Sequence, residues 1–149
     1  MSHLTVTKTY GHDLGLSCVF RQWRARSHCS KLHGYALSFE ITFSARELDE
    51  NGWVIDFGSL KPIKRHLEDT FDHKLIVAQD DPHLKVLREF AENDVVDMIV
   101  LPATGCEAFA KYVFNWVLRW LDKTPRVSIV SVTVREHGAN AATYHGDPL

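Results

Sequence analysis

One stretch constrains this chain more than any other. From His33 to Phe43, the residues His33, Tyr35, Leu37, Phe39 and Ile41 recur at every second position, with Gly34, Ala36, Ser38, Glu40 and Thr42 between them. A period of two is the repeat of a β-strand, whose successive side chains point to opposite faces. Val127 to Arg135 alternates in the same way: Val127, Ile129, Ser131, Thr133 and Arg135 fall on one side, Ser128, Val130, Val132 and Val134 on the other. Half-apolar strands need a second layer to cover them.

Helical patterns supply that layer. Leu60, Ile63, Leu67 and Phe71 repeat at helical spacing behind Asp56 or Ser59, either of which is a capping residue. A shorter helix is predicted from Pro82 to Ala91, with proline in its first turn. The clearest helix runs to Leu121, and Thr104-x-x-Glu107 before it has the form of a capping box. Gly15 to Arg24 is apolar and β-prone, Val95 to Leu101 fits a brief strand, and a last short strand falls near Thr143. Asp49-Glu50-Asn51-Gly52 reads as a turn. This order predicts one α+β domain over residues 1–149, with an antiparallel sheet and helices on one face. The other face then calls for oligomerisation.

Composition excludes several classes. Forty-five per cent hydrophobic and 24% charged residues belong to a globular chain, and the most apolar run, Val113 to Leu121, is interrupted by Asn115 and Arg119. No signal-peptide succession opens the sequence, so no membrane association and a cytoplasmic location are expected. A net charge of -2 makes no electrostatic case for nucleic acid. Three cysteines, Cys18, Cys29 and Cys106, fit neither a disulfide framework nor a four-cysteine zinc site. Nine histidines justify a search for metal or acid–base chemistry.

Four local features bear chemistry, and each also has a plain structural role open to it. Cys29, set among Arg26, His28 and Lys31, is a candidate reactive thiolate or a packed cysteine. Asp72-His73 behind a helix is an acid–base pair, or an imidazole stabilised by the helix C-terminus. Glu136 ends a valine-rich strand, where a carboxylate accepts paired N–H groups from a heteroaromatic edge, or only finishes an edge strand. Trp53 to Phe57 surrounds Asp56 with apolar residues suited to a core.

In order, these segments resemble one family. The text from Cys29 to Gly34, then Gly52-Trp53-Val54-Ile55-Asp56-Phe57-Gly58-Ser59-Leu60-Lys61, Phe71-Asp72-His73, Thr104 to Glu107 and Val134-Arg135-Glu136 is similar to the motif series of the 6-pyruvoyl-tetrahydropterin synthase / 6-carboxy-tetrahydropterin synthase family. The resemblance covers residues 16 to 146. It implies a tunnelling fold, with a four-stranded antiparallel sheet, closed into a barrel by trimers that stack as a hexamer. It implies active sites between subunits and 7,8-dihydroneopterin triphosphate, or a related pterin, as substrate. The product is 6-pyruvoyl-tetrahydropterin or 6-carboxy-tetrahydropterin; the second reaction opens queuosine biosynthesis. By position, Cys29 is the base, Asp72 and His73 its acid–base partners, and Glu136 the pterin anchor, helped by Glu107 or Thr104.

The resemblance also implies zinc held by three histidines, and here this sequence departs. Only His33 stands in that set; the other two positions are Tyr35 and Arg24. Arginine cannot ligate zinc, and tyrosine does so only as phenolate. Two readings stay open. Either His28, or His12, replaces the missing ligands beside His33, or zinc is absent and Arg24 meets a phosphate or carboxylate of the ligand.

Overall fold

The computed structural model describes residues 2–147. Its central strand is the alternating segment: β3, His33–Ala45, with Leu37, Phe39, Ile41 and Phe43 fully buried on one face. One edge of β3 pairs antiparallel with two strands in succession, β2 (Leu16–Phe20) along its first half and β1 (Leu4–Tyr10) along its second. The other edge pairs antiparallel with β6 (Ser128–His137), which in turn pairs with β7 (Asn140–His145). So β1-β3-β6-β7 forms the expected four-stranded antiparallel sheet. Beside β2 it is extended by two parallel strands, β4 (Lys74–Ala78) and β5 (Asp97–Leu101).

Helix α1, Lys61–Phe71, and helix α3, Cys106–Trp120, cover the apolar face. From α1 come buried Ile63, Leu67 and Phe71, and from α3 buried Phe109, Ala110, Val113, Phe114 and Val117, both at helical spacing. Aromatic rings thread this core. Phe39 meets Phe71 at 4.9 Å, Phe71 meets Phe109 at 5.2 Å, and Phe109 stands edge-on to Phe20 at 5.1 Å. Each such pair adds about 0.5–1.5 kcal/mol beyond area burial. Helix α2, Leu84–Glu92, packs Leu87 against Leu75 and Val77, in a small cluster of its own. No helix among the described residues is long and apolar enough to cross a membrane.

Several expectations change. The strand expected over Gly15 to Arg24 stops at Phe20, because Arg21 turns away into an ion pair with Asp81. The helix expected from Pro82 starts at Leu84. β1 and β4 were not expected from the sequence, although Leu4-Thr5-Val6-Thr7 is rich in β-formers and Leu75 to Ala78 is a short apolar run. Asp56 does cap, but it caps the 3-10 turn Phe57–Leu60 ahead of α1, accepting from the Gly58 N–H.

The alternation expected through Val127 to Arg135 is broken by a β-bulge. Phe43 faces Ile129 while Thr42 faces Ser131, which leaves Val130 as the extra residue. The inward face therefore shifts from Val127 and Ile129 to Val132 and Val134, all four buried.

Gly34 pairs with Val19 across the β2–β3 ladder, where a Cβ would lie 2.5 Å from the Cys18 carbonyl oxygen. Gly34→Ala is expected to destabilise the fold by about 1–3 kcal/mol through overpacking. Thermal unfolding checks this, and an unchanged melting temperature would show that the two strands separate at no cost.

Candidate active site

The bulge in β6 decides where Glu136 points. With Val132 and Val134 turned inward, the alternation carries Glu136 to the same side, toward the start of α3. A second irregularity falls at Glu136 itself: Arg135 pairs with Ala141 and His137 with Asn140, so Glu136 has no partner on β7. Its backbone N–H lies near the Cys106 thiol instead. Burial pushes the Cys106 thiol up to about 12, the Glu136 and Glu107 carboxylates add to the shift, and that N–H opposes it.

Cys29 approaches from the loop between β2 and β3. It lies in a 3-10 turn, His28–Ser30, capped by the Ser27 hydroxyl, which accepts from the Cys29 N–H. Tyr35 lies beside the end of β6, its ring 6.2 Å from that of His137, the residue after Glu136. Burial raises its phenol pKa, and the Glu136 carboxylate raises it further, so the phenol is held protonated. His33 and His137 flank that ring at 5.6 and 6.2 Å, and Phe20 joins the cluster to the core. Thiol, phenol and carboxylate thus converge at one end of the sheet.

Glu107 sits in the first turn of α3, where the helix dipole favours a carboxylate. The expected capping box does not form. The residue at the cap is Gly105, at φ 108°, and no side chain caps the helix. Thr104 donates its hydroxyl to the Arg21 carbonyl at 2.6 Å instead. The cause is backbone geometry: the chain enters α3 through a positive φ that suits glycine, one residue later than the box requires.

Asp72 and His73 follow α1. His73 Nδ1 lies 2.7 Å from Asp72 Oδ1, which leaves Nε2 free. The residue holds φ 58°, unusual for a side chain of this size, and its N–H bonds the Ser17 carbonyl at 2.6 Å. The imidazole is exposed and borders a groove of about 680 Å³ lined by Val19, Leu32, Gly34, Ala36 and Phe90. Neither Cys29 nor Glu136 lines that groove. Among the described residues no hydrogen bond or ion pair links Asp72–His73 to Cys29, Glu136 or Glu107. Tyr35 lines the same groove as His73, so the pair and the thiol–carboxylate end share that ring as a neighbour.

The residues present do not fit a three-imidazole zinc site. His33 Nδ1 bonds the Lys31 carbonyl at 2.7 Å and leaves Nε2 free, but it has no imidazole partners from the expected positions. Arg24, expected to meet a ligand anion, pairs with Asp80 at 2.8 Å and lies over the Trp23 ring. His28 is exposed, and His12 Nδ1 bonds the Ala36 carbonyl. Among the described residues no group of three His, Cys, Asp or Glu is placed to hold a metal ion.

Sequence reasoning missed Arg21 and Asp81. Arg21 grips the buried Asp81 carboxylate with two N–H···O bonds of 2.8 Å. That grip, assisted by the His83 N–H, holds the Asp81 carboxyl below the usual carboxylate range. Only the arginines at 21 and 24 and the adjacent Asp80 and Asp81 hinted at it.

A four-stranded antiparallel sheet backed by two helices, extended by a parallel pair, makes this a tunnelling-fold protein. The chain matches the sequence model described as 6-pyruvoyl tetrahydropterin synthase over residues 12–147, and it belongs to that family. A 6-carboxy-5,6,7,8-tetrahydropterin synthase of Aquifex aeolicus is 27% identical over 136 residues, spanning 87% of this chain and 83% of that one. Among solved structures, an uncharacterized protein of Wolinella succinogenes superposes with a TM-score of 0.83 at 19% identity, over 99% of this chain and 100% of that one. The 6-pyruvoyltetrahydropterin synthase of Plasmodium vivax does so with a TM-score of 0.71 at 19% identity and the same coverage.

Proposed function

We propose that this chain is a lyase of the 6-carboxy-tetrahydropterin synthase kind, acting on 7,8-dihydroneopterin triphosphate or a related pterin. The observation that carries the reading is the arrangement at one end of the sheet, where the Cys29 turn is bonded to Gln22 just past β2 and Glu136 ends β6 beside the His137–Tyr35 ring pair. Glu136 accepts paired N–H groups of the pterin ring, with Glu107 and Thr104 at the rim. The Cys29 thiolate takes a proton from a side-chain carbon; the electron pair forms a C=C bond as the neighbouring C–O bond to triphosphate breaks. His73, oriented by Asp72, then moves protons on the pterin side chain.

The exposure of the His73 imidazole supports sites completed between subunits. Among the described residues the outer edges of β1 and β7 carry no strand partner, which supports strand addition between copies into a trimeric barrel and a hexamer. The single domain over residues 1–149 would act in the cytoplasm. Zinc held by the family's three histidines plays no part in this reading, since Tyr35 and Arg24 stand in two of the positions.

Incubation with dihydroneopterin triphosphate, followed by phosphate analysis and chromatography, tests it. Triphosphate release with a new tetrahydropterin product is the expected result. Tight pterin binding without release favours a second reading, a pterin- or purine-binding paralogue, for which the altered histidine set speaks. Metal analysis of untagged protein is expected to find well below one zinc per subunit; stoichiometric zinc would overturn the altered-site account.

A further inference from the structure

The loop that carries Cys29 is fastened from two consecutive residues, Arg21 and Gln22. The Arg21 Nε and one terminal nitrogen grip both oxygens of Asp81, and the other terminal nitrogen donates to the Ser30 carbonyl, each at 2.8 Å. The Gln22 N–H donates to the Cys29 carbonyl at 2.9 Å. Thr104 holds the Arg21 carbonyl from the start of α3, and the His83 N–H adds a further bond to Asp81. Asp81 has 1% of its side chain exposed, so its charge depends on the guanidinium that meets it.

We infer that Arg21 and Asp81 are positioning residues for Cys29, an ion-pair clamp that sets where its thiol stands; this rests on the reading of Cys29 as the reaction's base. None of these bonds reaches the sulfur. Two reach the loop, Arg21 at the Ser30 carbonyl and Gln22 at the Cys29 carbonyl, both on the C-terminal side of the thiol. An arginine fork is required, because three donors in one plane must span a carboxylate and a carbonyl at once. Lysine keeps the charge but cannot hold both.

Arg21→Lys in the full chain tests this by iodoacetamide labelling and peptide mass spectrometry. Buried Cys18 and Cys106, both with thiols pushed up to about 12, report whether the fold stays closed. Cys29 labelling is expected to rise about tenfold as the loop opens locally, with Cys18 and Cys106 still protected. Turnover is expected to fall about 10²-fold with KM within about twofold, the signature of a misplaced reacting group. Unchanged Cys29 labelling, or labelling of all three thiols together, would overturn the clamp. So would faster Cys29 labelling with unchanged turnover. Should the wild type release no triphosphate, the labelling arm still decides the clamp, and that failure counts against the proposed reaction alone.

Discussion

Cys29→Ala is expected to lower triphosphate release by about 10³-fold, the usual scale for losing a positioned base. The protein should otherwise be unaltered. The bonds that hold this turn are made by the backbone: the Cys29 N–H to the Ser27 hydroxyl, and the Cys29 carbonyl to the Gln22 N–H. Alanine keeps both. The side chain is only half-buried, so its loss leaves no large cavity. Circular dichroism and sedimentation should therefore match the wild type, which separates chemistry from folding. Retained turnover would remove the thiol from the mechanism. Cys18 and Cys106 offer no substitute, since both are buried with thiols raised to about 12.

Glu136→Gln is expected to weaken pterin binding by about 10²-fold, the equivalent of losing about 2–3 kcal/mol of charged hydrogen bonding. The amide is nearly isosteric but puts an N–H donor where the ring presents N–H donors of its own. The change leaves the backbone pairing of β6 untouched, so the bulge and its direction persist. Fluorescence titration with a pterin measures the effect. Equal affinity for both proteins would show that the ring is held elsewhere.

These two residues differ in how far the sequence exposes them. Cys29 is legible because its setting, a basic loop ahead of a clean alternating strand, is local. Glu136 is legible as the end of a strand, but not in its direction. Counted from Val127 by strict alternation, it falls on the side of Ser128 and Val130. The bulge at Val130 returns it to the core side. A bulge arises from how β6 meets β3, and one strand read alone carries no signal of it. The same limit explains Thr104. Thr104-x-x-Glu107 satisfies the capping pattern, yet the hydroxyl bonds a carbonyl from the distant β2–β3 loop instead.

The sequence by itself determined the α+β class, the central strand His33 to Phe43, helices α1 and α3, and the family, because periodicity and ordered motifs are properties of neighbours along the chain. It also put Tyr35 and Arg24 where the resemblance implies histidines. Only the tertiary structure decided that Arg24 turns to Asp80, that Arg21 pairs with Asp81 and bonds the Cys29 loop, and that His73 borders an open groove. Those outcomes depend on contacts between residues far apart in the chain. Ion pairing and backbone satisfaction across them are settled by packing, after the local pattern has had its say.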